Sequence, residues 1–222
     1  MELLVVTLAY TNADRDADIL ARIRLIVDTV RNAPGLVISQ AYRGQGTHAY
    51  YLLLTTWDTE ESWYQARDRY NPKHLLLSST TELLTALPEQ WLMHYLWGYS
   101  RPAAIPTLAG AHLAHVGTGQ VEAIQQHWIE QLRQQAVYPT LAFAFLARGI
   151  REDRLANNPH FAFSEHKDAG IAPTQQASIF LNLLCWSNES ERDEFLANPH
   201  YQALHQFVGS RGVVQVLPLE PM

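Results

Sequence analysis

The chain has 222 residues, of which 47% are hydrophobic and 17% charged, a composition typical of a soluble globular protein with a sizeable core. Its formal net charge is -6 and it has no cluster of Lys or Arg, so we expect neither a nucleic acid nor an anionic membrane surface as partner. No apolar run approaches the roughly 18 residues of a membrane span. The single cysteine, Cys185, allows no intrachain disulfide, so we expect a cytoplasmic location.

The first hundred residues predict the order strand, helix, strand, strand, helix, strand. Apolar positions from Ile19 to Val30 recur at helical spacing until Pro34-Gly35 ends the first helix. The second helix begins after Trp57, where Asp58-Thr59-Glu60-Glu61 supplies capping and acidic side chains. The strands are expected at residues 3–10, 36–43, 48–57 and 91–99.

The rest of the chain predicts the same order again. Residues 100–106, with two prolines, form the linker, and an insertion at 151–175 lies between the second and third strands of this half. The insertion is either a lid over a pocket or an elaborated hairpin loop. The strands are expected at residues 108–116, 140–148, 177–186 and 211–217.

Three ordered matches relate the two parts of the sequence. The run 34–44 matches 139–149 at a constant offset of 105, Trp57 matches Trp186, and Asn71-Pro72 matches Asn198-Pro199. We interpret this as a tandem duplication of a unit, with one domain over 1–100 and another over 107–222. The predicted fold class is α+β, with two ferredoxin-like βαββαβ units packed as one barrel. Because each sheet supplies the other's partner, the chain is expected to be a monomer, or a homodimer through exposed helices.

The repeated features resemble the antibiotic biosynthesis monooxygenase family of the dimeric α/β barrel superfamily. They are a proline-led second strand, a third strand ending in Trp, an acidic-capped helix and an Asn-Pro segment. The segments that carry the resemblance are 34–43, 57–61 and 71–74 in the first unit and 139–148, 186–190 and 198–200 in the second.

The resemblance implies a monooxygenase that needs no metal or flavin and acts on a small aromatic or quinol-type molecule in an apolar pocket. A haem-binding or haem-degrading protein is one alternative. The haem-degrading branch combines a first-strand Asn with an aromatic residue and a later His; Phe195 and His205 match, but Thr7 and, approximately, Ala114 stand at the Asn position. The other alternative is a non-catalytic ligand-binding or stress-response barrel, so whether the chain is an enzyme stays open.

Candidate site residues follow from residue type and from the family pockets between helix and sheet. His74 and His205, which are expected to follow the second helix of their half, are the leading acid/base candidates, although helix-end histidines are often only surface residues. The aromatic clustering of the first unit favours a working pocket there, although aromatic cores are commoner than aromatic pockets. The catalytic candidates are His74, His205, Trp63 and Tyr70, and the substrate-binding candidates are Trp57, Tyr95, Trp97, Trp186 and Phe195.

The histidines do not predict a metal site. His112 and His115 lie three apart on a strand and point to opposite faces, and His200 and His205 diverge on a helix. His112, among apolar neighbours, is expected to be a core histidine satisfied by a hydrogen bond, unless it lines a pocket. Cys185 is expected to be a buried, inert thiol.

Overall fold

The computed structural model describes residues 1–46, 49–135, 140–152 and 178–222. Most of the insertion expected at 151–175 therefore lies outside the described residues. The first half contains β1 (Leu3–Tyr10), α1 (Asp16–Val30), β2 (Leu36–Gly44), β3 (Tyr50–Trp57), α2 (Glu60–Tyr70), α3 (Pro72–Thr80) and β4 (Glu89–Ser100). The second half contains β5 (Leu108–Val116), α4 (Val121–Gln135), β6 (Phe143–Glu152), β7 (Ser178–Trp186), α5 (Glu189–Ala197), α6 (Pro199–Gly209) and β8 (Gly212–Pro221).

The eight strands form one closed antiparallel barrel in the order β1-β3-β2-β8-β5-β7-β6-β4. Each half contributes four adjacent strands, β4-β1-β3-β2 from the first and β8-β5-β7-β6 from the second, with its helices on one face of its sheet. The expected fold class is confirmed: two ferredoxin-like units in one chain form a dimeric α/β-barrel arrangement. The duplication and the domain limits at 100 and 107 stay predictions.

The second helix of each half is divided in two, whereas the sequence predicts a single helix. Asn71 ends α2 and begins α3, with its side-chain Oδ1 accepting from the backbone N–H of Lys73 at 2.9 Å. Asn198 does the same between α5 and α6, accepting from the N–H of His200. The cause is the proline after each asparagine, which disfavours helical geometry at the preceding residue but fits the first turn of a new helix.

Strand alternation divides the buried residues into three cores. One fills the barrel interior, and the other two lie between a sheet and its helices, one in each half. Cys185 belongs to the barrel interior, where burial raises the pKa of its thiol to about 12. Among the described helices, none is both long and apolar enough to span a membrane.

The halves meet at two seams of unequal length. Strand β4 pairs with β6 from Trp91 to Ser100, whereas β2 pairs with β8 only over Tyr42–Gly44. The part of β8 from Gly212 to Leu217 therefore pairs with β5 on one side, and no strand of the described chain pairs with its other edge. The short seam leaves one mouth of the barrel open to a groove.

Candidate functional site

A small cavity lies between the sheet and the helices of the second half. Strands β5, β7 and β8 form its floor and helices α4 and α6 its roof. Its volume is about 10 Å³, room for roughly one water molecule. The residues that line it are His112, Trp128, Asn182, Tyr201, Leu204, His205, Val208 and Val214.

The barrel register brings the two polar sheet residues together. His112 of β5 is paired directly with Asn182 of β7. Their neighbours Leu113 and Leu181 belong to the barrel interior, so the alternation of a strand directs His112 and Asn182 toward the helices. On α6, Tyr201 and His205 are one helical turn apart and therefore share a face.

A hydrogen bond of 2.9 Å joins the hydroxyl of Tyr201 to Nε2 of His112. Both residues are buried, with 7% and 4% of their surfaces exposed. The ring of His205 lies 5.8 Å from that of His112 and 6.2 Å from that of Tyr201, between ring centroids. Because His205 is exposed, the three side chains lead from the buried floor of the cavity to solvent.

Burial determines the protonation of this cluster. Desolvation, with a smaller contribution from the nearby His205, lowers the pKa of His112 to about 3. Desolvation also raises the pKa of Tyr201 well above its usual range. At neutral pH a neutral imidazole therefore faces a protonated phenol, and either group can be the donor, depending on the imidazole tautomer. Because burial disfavours the imidazolium, His112 can hold a proton only when a negative charge lies beside it.

Two further polar atoms at the cavity have no partner in the described part of the chain. Oδ1 of Asn182 and Nε1 of Trp128 are buried and make no hydrogen bond with any described residue. One is an acceptor and the other a donor. A buried polar group without a partner costs about 1–3 kcal/mol, so a bound molecule that pairs with both atoms gains affinity by relieving that cost.

The matching layer of the first half contains different side chains. Leu3 and Leu108 are each paired with the tryptophan that ends the third strand of their half, so Thr7 corresponds to His112 and Leu53 to Asn182. Here Nε2 of the buried Gln90 donates to Oγ1 of Thr7 at 2.7 Å and to Oδ1 of Asn71 at 2.8 Å. This chain of hydrogen bonds contains no titratable group, although Nδ2 of Asn71 and Oε1 of Gln90 lack partners among the described residues.

The candidates of the first half are distributed over all three cores. Trp57 and Trp63 are fully buried and pack edge to face, 5.2 Å apart between ring centroids. Tyr95 faces the barrel interior, where its hydroxyl lies 2.8 Å from Oγ1 of Thr56. Trp97 stacks on Tyr99 against the helix–sheet core of the second half.

The two remaining first-half candidates lie on helices. Tyr70 ends α2 and is half-buried, and His74 is half-buried on α3 rather than beyond the last helix, where the sequence places it. The structure thus does not gather the candidates of the first half around one cavity. Their roles stay predictions.

The candidates of the second half lie closer to one another. His205 lines the cavity and lies within α6, not after the helix as expected. Phe195 packs between Trp186 and Tyr201, with ring centroids 5.7 Å and 4.9 Å away, and so forms an aromatic wall behind the hydroxyl of Tyr201. The favoured location of the pocket is thus the second half, whereas the aromatic clustering of the sequence favours the first.

Sequence reasoning missed Asn182, Tyr201 and Trp128 as site residues. The sequence also gives Ala114 as the approximate equivalent of Thr7 in the second half, but the strand register makes His112 that equivalent. The constant offset of 105 between the halves contained this signal, because it aligns residue 112 with residue 7.

The residues around this cavity, as packed, do not fit a metal or a porphyrin. Within the described ranges, no group of three or more His, Cys, Asp or Glu is placed to hold a metal ion. A cavity of about 10 Å³ is far smaller than a haem, although His112 and His205 both border it. As packed, the cavity has room for about one water molecule, so any larger ligand requires it to open.

No protein-family model and no curated protein matches the chain. Solved structures match it over its full length. An anthrone oxidase-like protein has a TM-score of 0.74 at 12% identity, with 100% of this chain and 91% of that one covered. A monooxygenase-like protein of Listeria innocua has a TM-score of 0.55 at 8% identity, with 99% and 93% covered. A provisionally assigned chlorite dismutase has a TM-score of 0.55 at 11% identity, with 100% and 96% covered.

At these identities the likeness establishes the fold. The chain has a dimeric α/β-barrel fold like that of monooxygenase-type proteins. At this level the resemblance to the antibiotic biosynthesis monooxygenases is confirmed. The fold hosts several chemistries, so the activity must be argued from the site.

Proposed function

We propose that the chain is a cofactor-independent monooxygenase of a small aromatic or quinol-type substrate, and that the reaction takes place at the cavity of the second half. One observation carries this proposal: a buried, neutral His112 is hydrogen-bonded to Tyr201 and lies beside atoms of Asn182 and Trp128 that have no partner among the described residues. The anthrone oxidase-like protein with the same fold supports a substrate of this class.

The proposed reaction requires a base and a water-poor environment. His112 accepts the proton of a ring hydroxyl, because the substrate anion that forms beside it offsets the cost of a buried imidazolium. That anion can transfer an electron to O2. When the ring CH2 of an anthrone becomes C=O, or when a quinol becomes a hydroxyquinone, the substrate loses four electrons; one atom of O2 enters the product and the other leaves as water. The substrate supplies all four electrons, so the balance requires no separate reductant.

The neighbouring side chains position the substrate and move its proton. Trp128 Nε1 donates to an oxygen of the substrate anion, and Asn182 Oδ1 accepts from a second substrate hydroxyl. Tyr201 stabilises the imidazolium that forms on His112, because its oxygen can accept a hydrogen bond from Nε2. His205 then offers an exposed acceptor through which the proton reaches solvent.

Substrate entry requires a rearrangement. Because the cavity is about 10 Å³, a ring fits only when α6 moves away from the sheet and displaces Leu204 and Val208. No observation at the site favours the haem alternative. The non-catalytic barrel remains the competing function, and catalysis is what distinguishes it.

The test is oxygen uptake with a panel of quinols and anthrones. We expect kcat/KM to fall about 100-fold or more in His112→Gln, because the general base is lost, and about 10-fold in Tyr201→Phe. The matched control is His115→Gln, which changes an exposed histidine of the same strand and should leave the rate unchanged.

Three outcomes contradict the proposal. If His112→Gln retains the wild-type rate, His112 is not the base. If the panel binds but no oxygen is consumed, the protein is a ligand-binding barrel. If haemin gives a saturable Soret shift that bleaches with reductant under air, the haem alternative takes its place.

A further inference from the structure

The open mouth of the barrel forms a second, larger concavity. It lies where β1 ends, β3 begins and the unpaired part of β8 passes, and its volume is about 440 Å³. Small-molecule sites usually occupy about 300–1,000 Å³, and barrel mouths are among their common locations. The groove exists because the short seam between β2 and β8 leaves the strands apart at this end.

The floor of this groove is aromatic and well fixed. Tyr10 and Tyr50 lie on the inner face of the barrel with ring centroids 6.2 Å apart, edge to face, and cover the interior core. The hydroxyl of Tyr50 donates to the carbonyl of Pro218 at 2.8 Å, and Nε2 of Gln215 donates to the hydroxyl oxygen of Tyr10 at 2.7 Å. The rings are therefore held in place before any ligand arrives.

These bonds leave a set of uncharged polar groups available. Within the described ranges, the hydroxyl hydrogen of Tyr10 and Oε1 of Gln215 have no partner, which places a donor beside an acceptor. The hydroxyls of Thr11 and Thr85, which also line the groove, make no side-chain hydrogen bond with other described residues. Among the described residues that line the groove, none is charged.

We infer that the barrel mouth is a binding site for an uncharged ring compound that carries hydroxyl groups. The ring packs against Tyr10 and Leu217, and its hydroxyls pair with Gln215 Oε1 and with the threonine hydroxyls. A charged ligand gains no opposite charge here and loses its hydration. The site is separate from the helix–sheet cavity, because its tyrosines face the barrel interior whereas His112 faces the helices.

Methyl-resolved NMR of the full chain tests the inference with two uncharged, hydroxylated ring compounds, one aromatic and one a carbohydrate. Hydroquinone is an uncharged aromatic diol, and methyl β-glucopyranoside is an uncharged, hydroxylated saturated ring. We expect at least one probe to shift the methyl signals of Ala49 and Leu217 saturably. A response to hydroquinone alone identifies an aromatic ligand, and a response to the glucoside alone identifies a carbohydrate.

Two variants and a matched control then locate the site. Gln215→Leu removes the free acceptor, and Thr85→Trp fills the groove from an exposed position that does not endanger folding. Each should weaken binding at least tenfold. Leu87→Trp adds the same ring to an exposed residue of the same loop that does not line the groove, and should leave binding unchanged.

The inference is overturned if neither probe shifts Ala49 or Leu217 saturably, or if Thr85→Trp binds as tightly as Leu87→Trp. A shift confined to the methyls of Leu204 and Val208 would report binding at the helix–sheet cavity and would also overturn it.

Discussion

The two helix–sheet layers share one backbone plan but contain different chemistry. At equivalent positions of the first strand of each half, β1 has Thr7 and β5 has His112. At the position paired with them, β3 has Leu53 and β7 has Asn182. The first layer is built around fully buried tryptophans and a chain of short hydrogen bonds. The second contains a hydrogen-bonded histidine and tyrosine beside a cavity. The comparison teaches that the topology fixes where a site can form, and that a few strand positions decide whether one does.

The largest expected effect tests whether the first layer is packed more tightly than the second. Trp63 is fully buried against Trp57, so Trp63→Ala should lower the free energy of unfolding by about 3–5 kcal/mol. Urea denaturation followed by far-ultraviolet circular dichroism measures this loss. The control is Trp97→Ala, at a half-buried tryptophan, which should cost clearly less. Equal losses would contradict the assignment of Trp63 to a packed core.

The next effect concerns the protonation of His112, which occupies the position that Thr7 has in the first layer. Burial lowers the pKa of His112 from 6.5 to about 3, so between these values the unfolded chain binds a proton that the folded chain does not. Above pH 6.5 His112 is neutral in both the folded and the unfolded state and does not oppose folding. As the pH falls from 6.5 toward 3, its burial lowers the free energy of unfolding by up to about 1.4 kcal/mol per pH unit. Urea midpoints should therefore decrease less steeply with acid in His112→Gln than in wild type. Parallel curves would show that His112 titrates normally.

The smallest effect concerns the hydrogen bonds of the first layer. Thr7→Val keeps the shape of the side chain but removes the acceptor for Gln90, so it should destabilise the chain by about 1 kcal/mol. Thermal unfolding measures the change, with the exposed Thr85→Val as the control expected to have almost no effect. If Thr7→Val is neutral, Gln90 is held by Asn71 alone.

The fold could be predicted from the sequence because its signals are local. Apolar periodicity, the Pro-Gly stop after α1 and the repeated Trp at the end of β3 and β7 each concern a few neighbouring residues. The division of the second helices had a local signal too, the Asn-Pro pair, but it was interpreted as a family motif rather than as a helix boundary.

The site could not be predicted because its parts meet only in the folded barrel. His112 and Tyr201 are 89 residues apart in the chain, and only the register of β5 shows that His112 faces α6. Alternation also fails where a strand is irregular. Tyr95 and Trp97 are two residues apart and were expected to share a pocket, but a register shift between them places Tyr95 inside the barrel and Trp97 outside it.

The unequal seams show what becomes possible when both halves of the barrel belong to one polypeptide. In a barrel assembled from two identical chains, a two-fold axis would make both seams equal, and every substitution would occur twice. Here β4 and β6 join along a long seam while β2 and β8 part early, so the two seams are not equivalent. A single polypeptide is free of that symmetry constraint. One half can retain a tightly packed scaffold while the other diverges, and each new substitution changes only one of the two layers.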